Sequence, residues 1–334
     1  MSNSNFKTAE LEIVVPTYNR PVCVADMMEK YAEYLSRGLD FSVSVWDSST
    51  DDETEKIMRG YISERVRYIR KPSDTDVDEK TMVAMKNAVG EYVCLCGDGM
   101  TIKIDRVADI IRNNRGTELI TLYDTSMYGK QWNKLFGKNK SQISYDNKEQ
   151  YFIDNFWLNI LYGATVCRRE LIESIDIGFI LETFKGTNFI YPSTLLMYAN
   201  GPYVAVKSDY AIRNKGKATS GWMEKKQAMQ IWTHNICVAL DKFSNSIAPD
   251  VLCAILHNIG KYTTFFVPRG LILFRETDNF NLKLLKKYKP YFKRVKACSM
   301  FTAYLIALTP KWVCKAIHKI YRKLKGSDKK EIYA

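Results

Sequence analysis

The stretch LEIVVPTYNRP at residues 11–21 sets the pattern for the first third of the chain. Its mostly apolar first part, residues 11–15, predicts a buried strand. This strand should end at Pro16, because proline cannot donate a hydrogen bond within a central ladder. A helix should then begin near Pro21, since proline is tolerated in a first turn, and run to about residue 37.

The same order of strand and helix repeats up to about residue 100. Three further strands are predicted at residues 41–46, 66–70 and 91–96. Short strands that alternate with helices predict an α/β fold with a twisted, mainly parallel sheet of the doubly wound kind. Ligands bind beyond the carboxyl ends of such strands. The segments that follow the first, second and fourth strands should therefore converge on one site.

The net charge of +12 is confined to one end of the chain. From residue 281 onward there are 15 Lys and Arg against 2 acidic residues, so the other 34 basic and 35 acidic residues leave a near-neutral body. This distribution suits an anionic surface that one segment contacts. It argues against a nucleic-acid groove lined by the fold, and we expect no nucleic acid as a partner.

Cysteine spacing and hydropathy indicate a cytoplasmic protein. The eight cysteines form no C-x-x-C pair and the chain has three histidines, so we expect reduced core cysteines and no zinc site. No signal peptide is recognised at the start. The longest apolar run near the C-terminus, residues 297–308, falls short of the roughly 20 residues that a spanning helix needs.

Four motifs follow one another in a set order: VVPTYNR at residues 14–20, DSSTDD at 47–52, NAVGEY at 87–92 and CGDG at 96–99. With this order and spacing the chain resembles family-2 glycosyltransferases of the bacterial surface-polysaccharide type. The resemblance implies a GT-A fold, a Rossmann-like and mainly parallel sheet flanked by helices, here with a helical, basic C-terminal extension. Residues 1–220 would form the domain that binds nucleotide sugar and acceptor, and residues 221–334 the helical region.

The resemblance also implies a set of nucleotide-binding residues: Pro16, Thr17, Tyr18, Asn19, Arg20, Asp47, Asp98, Lys215 and Lys217. Backbone amides and the Thr17 hydroxyl would meet the base and ribose, Tyr18 would flank the base, and Arg20 would meet a phosphate. Asp47 would accept a hydrogen bond from a uracil imide, as in uridine-nucleotide enzymes.

Each of these assignments has a plainer alternative. Thr17, Asn19 and Asp47 have the side chains that turns and helix caps use. Lys215 and Lys217 lie in a loop that would either close over the diphosphate or remain solvated.

Asp98 is the expected ligand of a divalent cation, Mn²⁺ or Mg²⁺, because it follows an apolar strand that ends at the sheet edge. Such ions take oxygen ligands, and a nucleotide diphosphate supplies several of them. The chain departs from the family here, since the usual D-x-D motif has a second acid and CGDG has none. Metal dependence is therefore open, and a simple turn at residues 97–99 is the alternative.

The family-type reaction inverts the anomeric carbon and needs a base for the acceptor hydroxyl. Related enzymes carry an Asp or Glu roughly 80 to 100 residues beyond the metal motif. Glu182 is the preferred candidate, because an apolar run precedes it and a loop follows it. Asp176 is the second candidate, with Glu173 behind it, and an ordinary surface carboxylate is the alternative for each.

The tail predicts a membrane-associating surface. Residues 311–325 form an amphipathic helix with an apolar face that begins at Trp312, opposite a row of lysines. Together with the basic stretch upstream, residues 283–325 suit an anionic membrane surface. The alternative is packing against the rest of the protein or against a second copy, as a homo-oligomer.

These observations predict an inverting glycosyltransferase, peripheral on the inner face of the cell membrane. Its donor would be a nucleotide sugar, with UDP-sugars favoured, carrying a hexose or N-acetylhexosamine. Its acceptor would be a lipid-linked glycan in surface polysaccharide synthesis, such as capsule, an inference by analogy with the family. The alternatives are a sugar-nucleotide-binding protein without catalysis and, with less support, a nucleic-acid-binding protein.

Overall fold

The structure is a computed structural model that describes residues 6–216, 223, 225–263, 265–295 and 298–324, with the backbone alone for residues 321–324. The chain divides into two compact units. The first consists of Met1–Gly186 and Ile190–Lys217, and the second of Thr187–Phe189 and Ala218–Ala334. The domain boundary predicted between residues 220 and 221 falls outside the described residues and stays a prediction.

The first unit contains ten strands and nine helices among its described residues. The strands are β1 Leu11–Thr17, β2 Phe41–Asp47, β3 Val66–Arg70, β4 Tyr92–Leu95, β5 Met100–Ile102, β6 Leu119–Asp124, β7 Gln142–Tyr145, β8 Thr165–Arg168, β9 Tyr203–Ser208 and β10 Ala211–Arg213. The helices are α1 Pro21–Ser36, α2 Glu53–Met58, α3 Val77–Lys86, α4 Ile104–Asn113, α5 Thr125–Phe136, α6 Lys148–Asn159, α7 Arg169–Ser174, α8 Ile177–Phe184 and α9 Ile190–Tyr198.

Eight of the strands form one sheet in the order β3-β2-β1-β4-β8-β6-β9-β7. The half that contains β1 to β4 is parallel throughout, and β6 is parallel to β9. Strands β7 and β8 run antiparallel to their neighbours. A separate antiparallel pair, β5 with β10, joins the segment after β4 to the end of the unit. The predicted α/β class with a mainly parallel sheet is confirmed.

Burial explains why the central strands are so apolar. On one face of the sheet, α1 buries Val24, Met27 and Tyr31 in the same core cluster as Ile13 of β1 and Val43 of β2. A parallel strand that is covered on both faces has no solvated side, so its sequence reads as a continuous apolar run. This is the signal by which the first and fourth strands are recognised, whereas the second is recognised by its period-two alternation although all seven of its residues are buried.

The predicted end of β1 at Pro16 is wrong, because the strand continues to Thr17. The pairing of β1 with β4 ends at Val14 opposite Leu95, whereas the pairing with β2 continues to Thr17 opposite Asp47. Pro16 therefore has a ladder neighbour on one side only, which is the edge-like environment that proline tolerates.

The second unit is helical. A π-helical turn, Gln230–Asn235, leads into α10 Ile236–Asp241, and α11 Pro249–Tyr262, α12 Pro268–Glu276, α13 Leu282–Val295, α14 Met300–Leu308 and α15 Lys311–Leu324 follow. Helix α15 packs on α12, with Cys314 buried and His318 Nδ1 2.9 Å from Glu276 Oε2. Across the described residues, none of the helices combines the length and apolar character that crossing a bilayer requires.

Candidate active site

The ends of three central strands meet at one edge of the sheet. Strand β1 ends at Thr17, β2 ends at Asp47, and Asp98 follows β4. The Thr17 Oγ1 hydroxyl donates a hydrogen bond of 2.7 Å to Asp98 Oδ2, and the amide of Ser48 lies 3.3 Å from the Thr17 carbonyl. The three segments that the sequence predicts to converge are thus in direct contact.

Lys80 lies beneath this junction and connects two of the segments. Asp76 caps α3 by accepting hydrogen bonds from the amides of Asp78 and Glu79, and this cap fixes the first helical turn, where Lys80 is placed. The Lys80 Nζ donates to the Thr17 carbonyl and to Ser48 Oγ, each at 2.7 Å.

The environment of Lys80 shifts its titration. Its side chain is buried, with 3% of the residue exposed. Burial lowers the pKa of Lys80 to about 8, although the nearby carboxylates of Asp47 and Asp98 oppose the shift. A substantial fraction of these lysines would therefore be neutral near pH 8, while the charged form would predominate at pH 7.

The Asp47 carboxylate is fully buried and accepts hydrogen bonds on both oxygens. Its Oδ1 accepts from the amide and the hydroxyl of Ser49, and its Oδ2 accepts from Tyr68 Oη and Arg70 Nη1 at 2.7 Å each. A carboxylate has about four lone-pair sites, and these four donors occupy them. A contact with a uracil imide would require one of these bonds to open, so that role for Asp47 stays a prediction.

Asn19 joins the loop after β1 to the loop after β2. Its backbone has a φ of +52°, in the left-handed region where asparagine is tolerated. Its amide donates to Ser49 Oγ at 2.8 Å, and its side-chain oxygen accepts from the Thr50 amide at 2.8 Å. The turn alternative therefore describes what Asn19 does in this structure. Neighbouring Tyr18 is 48% exposed, and Pro16 is half-buried.

Asp98 carries an ion pair in addition to its bond with Thr17. Arg20 Nη1 lies 2.9 Å from Asp98 Oδ1, and the arginine side chain is 30% exposed while the aspartate side chain is 5% exposed. Burial and then the charge of Asp98 raise the pKa of the adjacent Cys23 thiol, and Arg20 opposes that shift.

A loop later in the chain, which contains Asn214 and Lys215, is hydrogen-bonded to the site. Asn214 Nδ2 donates to the Asp98 carbonyl at 2.9 Å, and the Lys215 amide donates to Asp26 Oδ2 at 2.9 Å. Burial tends to raise the pKa of Asp26, but contacts with Lys30 and Lys215 outweigh it and leave that pKa below its ordinary value.

The two cationic loop residues of the prediction have different outcomes. The Lys215 side chain is 84% exposed, and its Nζ lies 3.5 Å from Asp26 Oδ1. The predicted nucleotide contact of Lys217 lies outside the described residues.

The two candidate bases both lie on or beside α8. Asp176 is exposed and caps α8, because its Oδ1 accepts from the Phe179 amide at 3.1 Å. Glu182 is exposed near the end of the helix. The end of α8 is fixed to α3: Gly186 donates its amide to Asp78 Oδ2 at 2.9 Å, and Lys185 bonds Glu79 at 2.7 Å.

Sequence reasoning missed two buried charges of the site. Asp26 lies within the apolar run VCVADMM at residues 22–28, and a lone acid on the buried face of a helix is a signal that could have identified it. Lys80 follows three acids in DVDEK, a pattern typical of a solvated helix face, so its burial carries no local signal.

The donor set does not fit a divalent cation held by the protein itself. Among the described residues no group of three His, Cys, Asp or Glu side chains is placed to bind a metal ion. Each oxygen of Asp98 already bonds a protein donor, one of them a guanidinium that would repel a cation. The predicted Mn²⁺ or Mg²⁺ at Asp98 stays a prediction, against which this arrangement argues.

Comparisons with known proteins agree with the fold. The chain resembles the Staphylococcus aureus protein TarS, residues 1–349, in complex with UDP-GlcNAc, with a TM-score of 0.56 and 14% identity over 94% of this chain and 92% of that one. It spans 55% of a longer TarS chain, with a TM-score of 0.52 and 13% identity over 89% of this chain.

The chain also resembles the mannosyltransferase PcManGT from Pyrobaculum calidifontis in complex with GDP-Man and Mn²⁺, with a TM-score of 0.50 and 14% identity over 96% of this chain and 84% of that one. A sequence search of curated proteins finds no match. These likenesses bear on the fold, and the predicted GT-A architecture is confirmed. Residues 12–175 match the family described as "Glycosyl transferase family 2". Through this segment, which is just under half of the chain, the protein is similar to glycosyl transferase family 2.

Proposed function

We propose that the protein transfers a glycosyl residue, with inversion, from a nucleotide sugar to a hydroxyl group of a lipid-linked glycan. The observation that carries the proposal is the contact of Thr17 with Asp98 at the sheet edge, with Lys80 bonded beneath it. Open α/β sheets bind ligands at such edges. TarS was solved with UDP-GlcNAc and PcManGT with GDP-Man, and we propose a UDP-sugar as the donor.

The geometry of the strand ends suggests how the donor binds. The exposed ring of Tyr18 lies at the rim, where it can flank the base. The diphosphate would lie toward Arg20, and Lys215 would approach from the loop that Asn214 fixes to the Asp98 carbonyl. Asp47 would then act on the nucleobase end of the donor indirectly, because its hydrogen bonds hold the loop at Ser49 in place.

The reaction requires a base on the acceptor side. The acceptor oxygen attacks the anomeric carbon while the bond from that carbon to the diphosphate oxygen breaks, and its electron pair leaves with the diphosphate. The proton of the acceptor hydroxyl passes to a carboxylate, for which we propose Glu182. Glu182 precedes Gly186 by about one helical turn, and Gly186 is bonded to α3, the helix that carries Lys80.

Asp176 is the weaker candidate, because its carboxylate is engaged in capping α8. Glu182→Gln removes the proton acceptor with little change of shape, so we expect turnover to fall by about 10²- to 10⁴-fold while UDP-sugar binding is retained. Glu149→Gln, at an exposed glutamate in the first turn of α6, is the matched control. Full turnover in Glu182→Gln would eliminate it as the base.

The test of function is a panel of UDP- and GDP-sugars incubated with the protein, with Mg²⁺, Mn²⁺ or EDTA, and scored for transfer or slow hydrolysis. Asp98→Ala should abolish both. A second candidate function, sugar-nucleotide binding without catalysis, is favoured by the single acid of the CGDG motif. It would be supported if UDP binds but no sugar of the panel is transferred or hydrolysed.

The second unit carries a surface suited to an anionic membrane. Four large apolar side chains along α14 and at the start of α15 are more than half exposed: Phe301 at 73%, Leu305 at 52%, Leu308 at 63% and Trp312 at 73%. The three on α14 are spaced by four and three residues, so they share one helix face. An exposed apolar patch of this kind marks an interaction surface.

The structure modifies the expected orientation of the tail helix. Its Cys314 and His318 face α12, whereas Trp312, Ile317 and Ile320 are exposed. The apolar surface offered to lipid is thus shared between α14 and α15, and the described residues 311–320 include three lysines beside it. Lysines around an apolar face with a tryptophan favour the interface of an anionic leaflet. Attachment there supports a lipid-linked acceptor in surface polysaccharide synthesis.

Vesicle flotation tests this attachment. The protein should bind vesicles that contain anionic lipid and release them at high salt, because each basic residue contributes about 1 kcal/mol near such a surface. The double variant Leu305→Ser with Trp312→Ser should lose binding. Ile62→Ser, an exposed apolar residue in the first unit, is the control. If the wild type does not bind vesicles but is a dimer, and the double variant is a monomer, the patch is instead the contact surface for a second copy.

A further inference from the structure

The charged side chains joined at the site leave it electropositive before any ligand arrives. They comprise five cations, Arg20, Lys30, Arg70, Lys80 and Lys215, and three carboxylates, Asp26, Asp47 and Asp98. The net charge of these groups is +2 while Lys80 is protonated. A site that holds a divalent cation has surplus carboxylate oxygens, because hard cations bind to them. The balance here has the opposite sign and suits a dianion.

We propose that Arg20, supported by the buried charge of Lys80, binds the donor diphosphate directly, so that this site binds a nucleoside diphosphate without a divalent cation. The proposal rests on the function proposed above, and it states which groups neutralise the charge of the diphosphate in that reaction. Arg20 is the more exposed partner of its ion pair, at 30% against 5% for Asp98, whereas Lys80 is buried.

Asp98 is a positioning residue in this arrangement. Its Oδ2 accepts from Thr17 and its Oδ1 accepts from Arg20 at 2.9 Å, so the carboxylate holds the guanidinium at the end of β1. A guanidinium has five N–H donors in a planar fork and can bridge a carboxylate and a phosphate. When the glycosyl bond breaks, the diphosphate gains a negative charge, and a fixed guanidinium would stabilise it.

Lys80 contributes as a charge that water does not screen. Its ammonium group bonds the Thr17 carbonyl and Ser48 Oγ, and the charged groups that shift its titration are Asp47 after β2 and Asp98 after β4. The arrival of a diphosphate above Thr17 adds negative charge to this environment. The charged form of Lys80 is then favoured, which strengthens the binding of the dianion.

Isothermal titration calorimetry with UDP, and with GDP as a second probe, tests the proposal without requiring turnover. In EDTA we expect wild-type protein to bind one of these nucleotides as tightly as it does with excess Mg²⁺ or Mn²⁺. Arg20→Gln should raise the Kd in EDTA by roughly 10- to 100-fold, the cost of a lost charge-assisted hydrogen bond. Arg20→Lys should restore part of the affinity. Arg59→Gln, at an exposed arginine directly after α2, is the matched control.

The outcomes separate this inference from the proposed function. If nucleotide binds only when Mg²⁺ or Mn²⁺ is present, the inference is overturned and the transferase proposal stands. If Arg20→Gln binds nucleotide in EDTA as the wild type does, the diphosphate does not depend on Arg20, and the inference is again overturned. If neither UDP nor GDP binds under any condition, both proposals fail. Circular dichroism of each variant checks that it is folded.

Discussion

Replacing Lys80 by methionine should remove a pH dependence from the stability of the protein. Methionine keeps most of the side-chain length but cannot be protonated, and it leaves the Thr17 carbonyl and Ser48 Oγ without their donor. At pH 7 two effects oppose each other in the variant: the lost hydrogen bonds destabilise it, and the removal of a buried charge relieves a desolvation cost.

The magnitude follows from the two protonation equilibria of Lys80. Its pKa is about 8 in the folded protein and 10.5 without the shift. Between these values the unfolded chain binds more protons than the folded protein, so the free energy of unfolding rises with pH. From about pH 7 to about pH 9.5 this one group adds about 2 kcal/mol to the free energy of unfolding. Over this range, proton binding by Lys80 favours the unfolded state less and less, by a factor of roughly 30 in the equilibrium constant for unfolding. Below about pH 7 the lysine is charged in both states and the contribution is flat.

Urea unfolding followed by tryptophan fluorescence, at several pH values in that range, measures the effect. Other groups titrate there too, so the quantity of interest is the difference between wild type and Lys80→Met. Between about pH 7 and about pH 9.5, the free energy of unfolding of the wild type should rise by about 2 kcal/mol relative to that of the variant. Lys130→Met, at an exposed position, is the control and should follow the wild type. A difference that stays constant from pH 7 to about pH 9.5 would refute a depressed pKa at Lys80.

Two further substitutions test the geometry of the site. Thr17→Val removes the donor to Asp98 without changing shape, and it should cost about 1–3 kcal/mol in urea unfolding, since a buried carboxylate loses a partner; a cost near zero would show that the bond does not form. Gly216→Ala adds a Cβ that would lie 2.6 Å from Cys23 Sγ at a φ of +120°. It should cost about 1–3 kcal/mol and weaken UDP binding, and wild-type stability with wild-type affinity would show that the loop is not packed there.

The first half of the sheet was predictable because burial on both faces leaves a local signal. Strands β1 and β4 are mainly apolar runs, β2 alternates apolar with polar residues, and parallel order then brings their ends together. The small pair β5 with β10 was not predictable in the same way. Each is three residues long, and the partners Met100 and Arg213 are far apart in the chain. Pairing at that separation depends on the folded structure and not on local propensity.

The site shows the same division between local and non-local information. Thr17, Asp47 and Asp98 were identified because each lies in a motif of the family at the end of a predicted strand. Lys80 was missed because the sequence around it is that of a solvated helix start, and only the tertiary fold buries it. For the same reason, the sequence could not indicate that Asp47 is fully occupied by Ser49, Tyr68 and Arg70.

The tail required the structure to show which side of the helix is covered. Periodicity gives an apolar face for residues 311–325, but it does not tell whether protein or solvent lies against it. In the structure Cys314 and His318 lie against α12, while Trp312, Ile317 and Ile320 of the predicted apolar face are exposed, so internal packing uses a different side of the helix. The predicted side chains from residue 321 onward lie outside what the structure describes.

The single acid of the CGDG motif and the cation beside it are parts of one arrangement. A family member with several acids there can hold a divalent ion, since surplus oxygens remain for it. In this chain the one carboxylate is shared between Thr17 and Arg20, and Lys80 adds a buried positive charge beneath them. One acid among these cations sets the sign of the field that a diphosphate meets at the strand ends. The departure from the family motif is therefore explained better by an exchange of counter-ion than by a loss of catalysis.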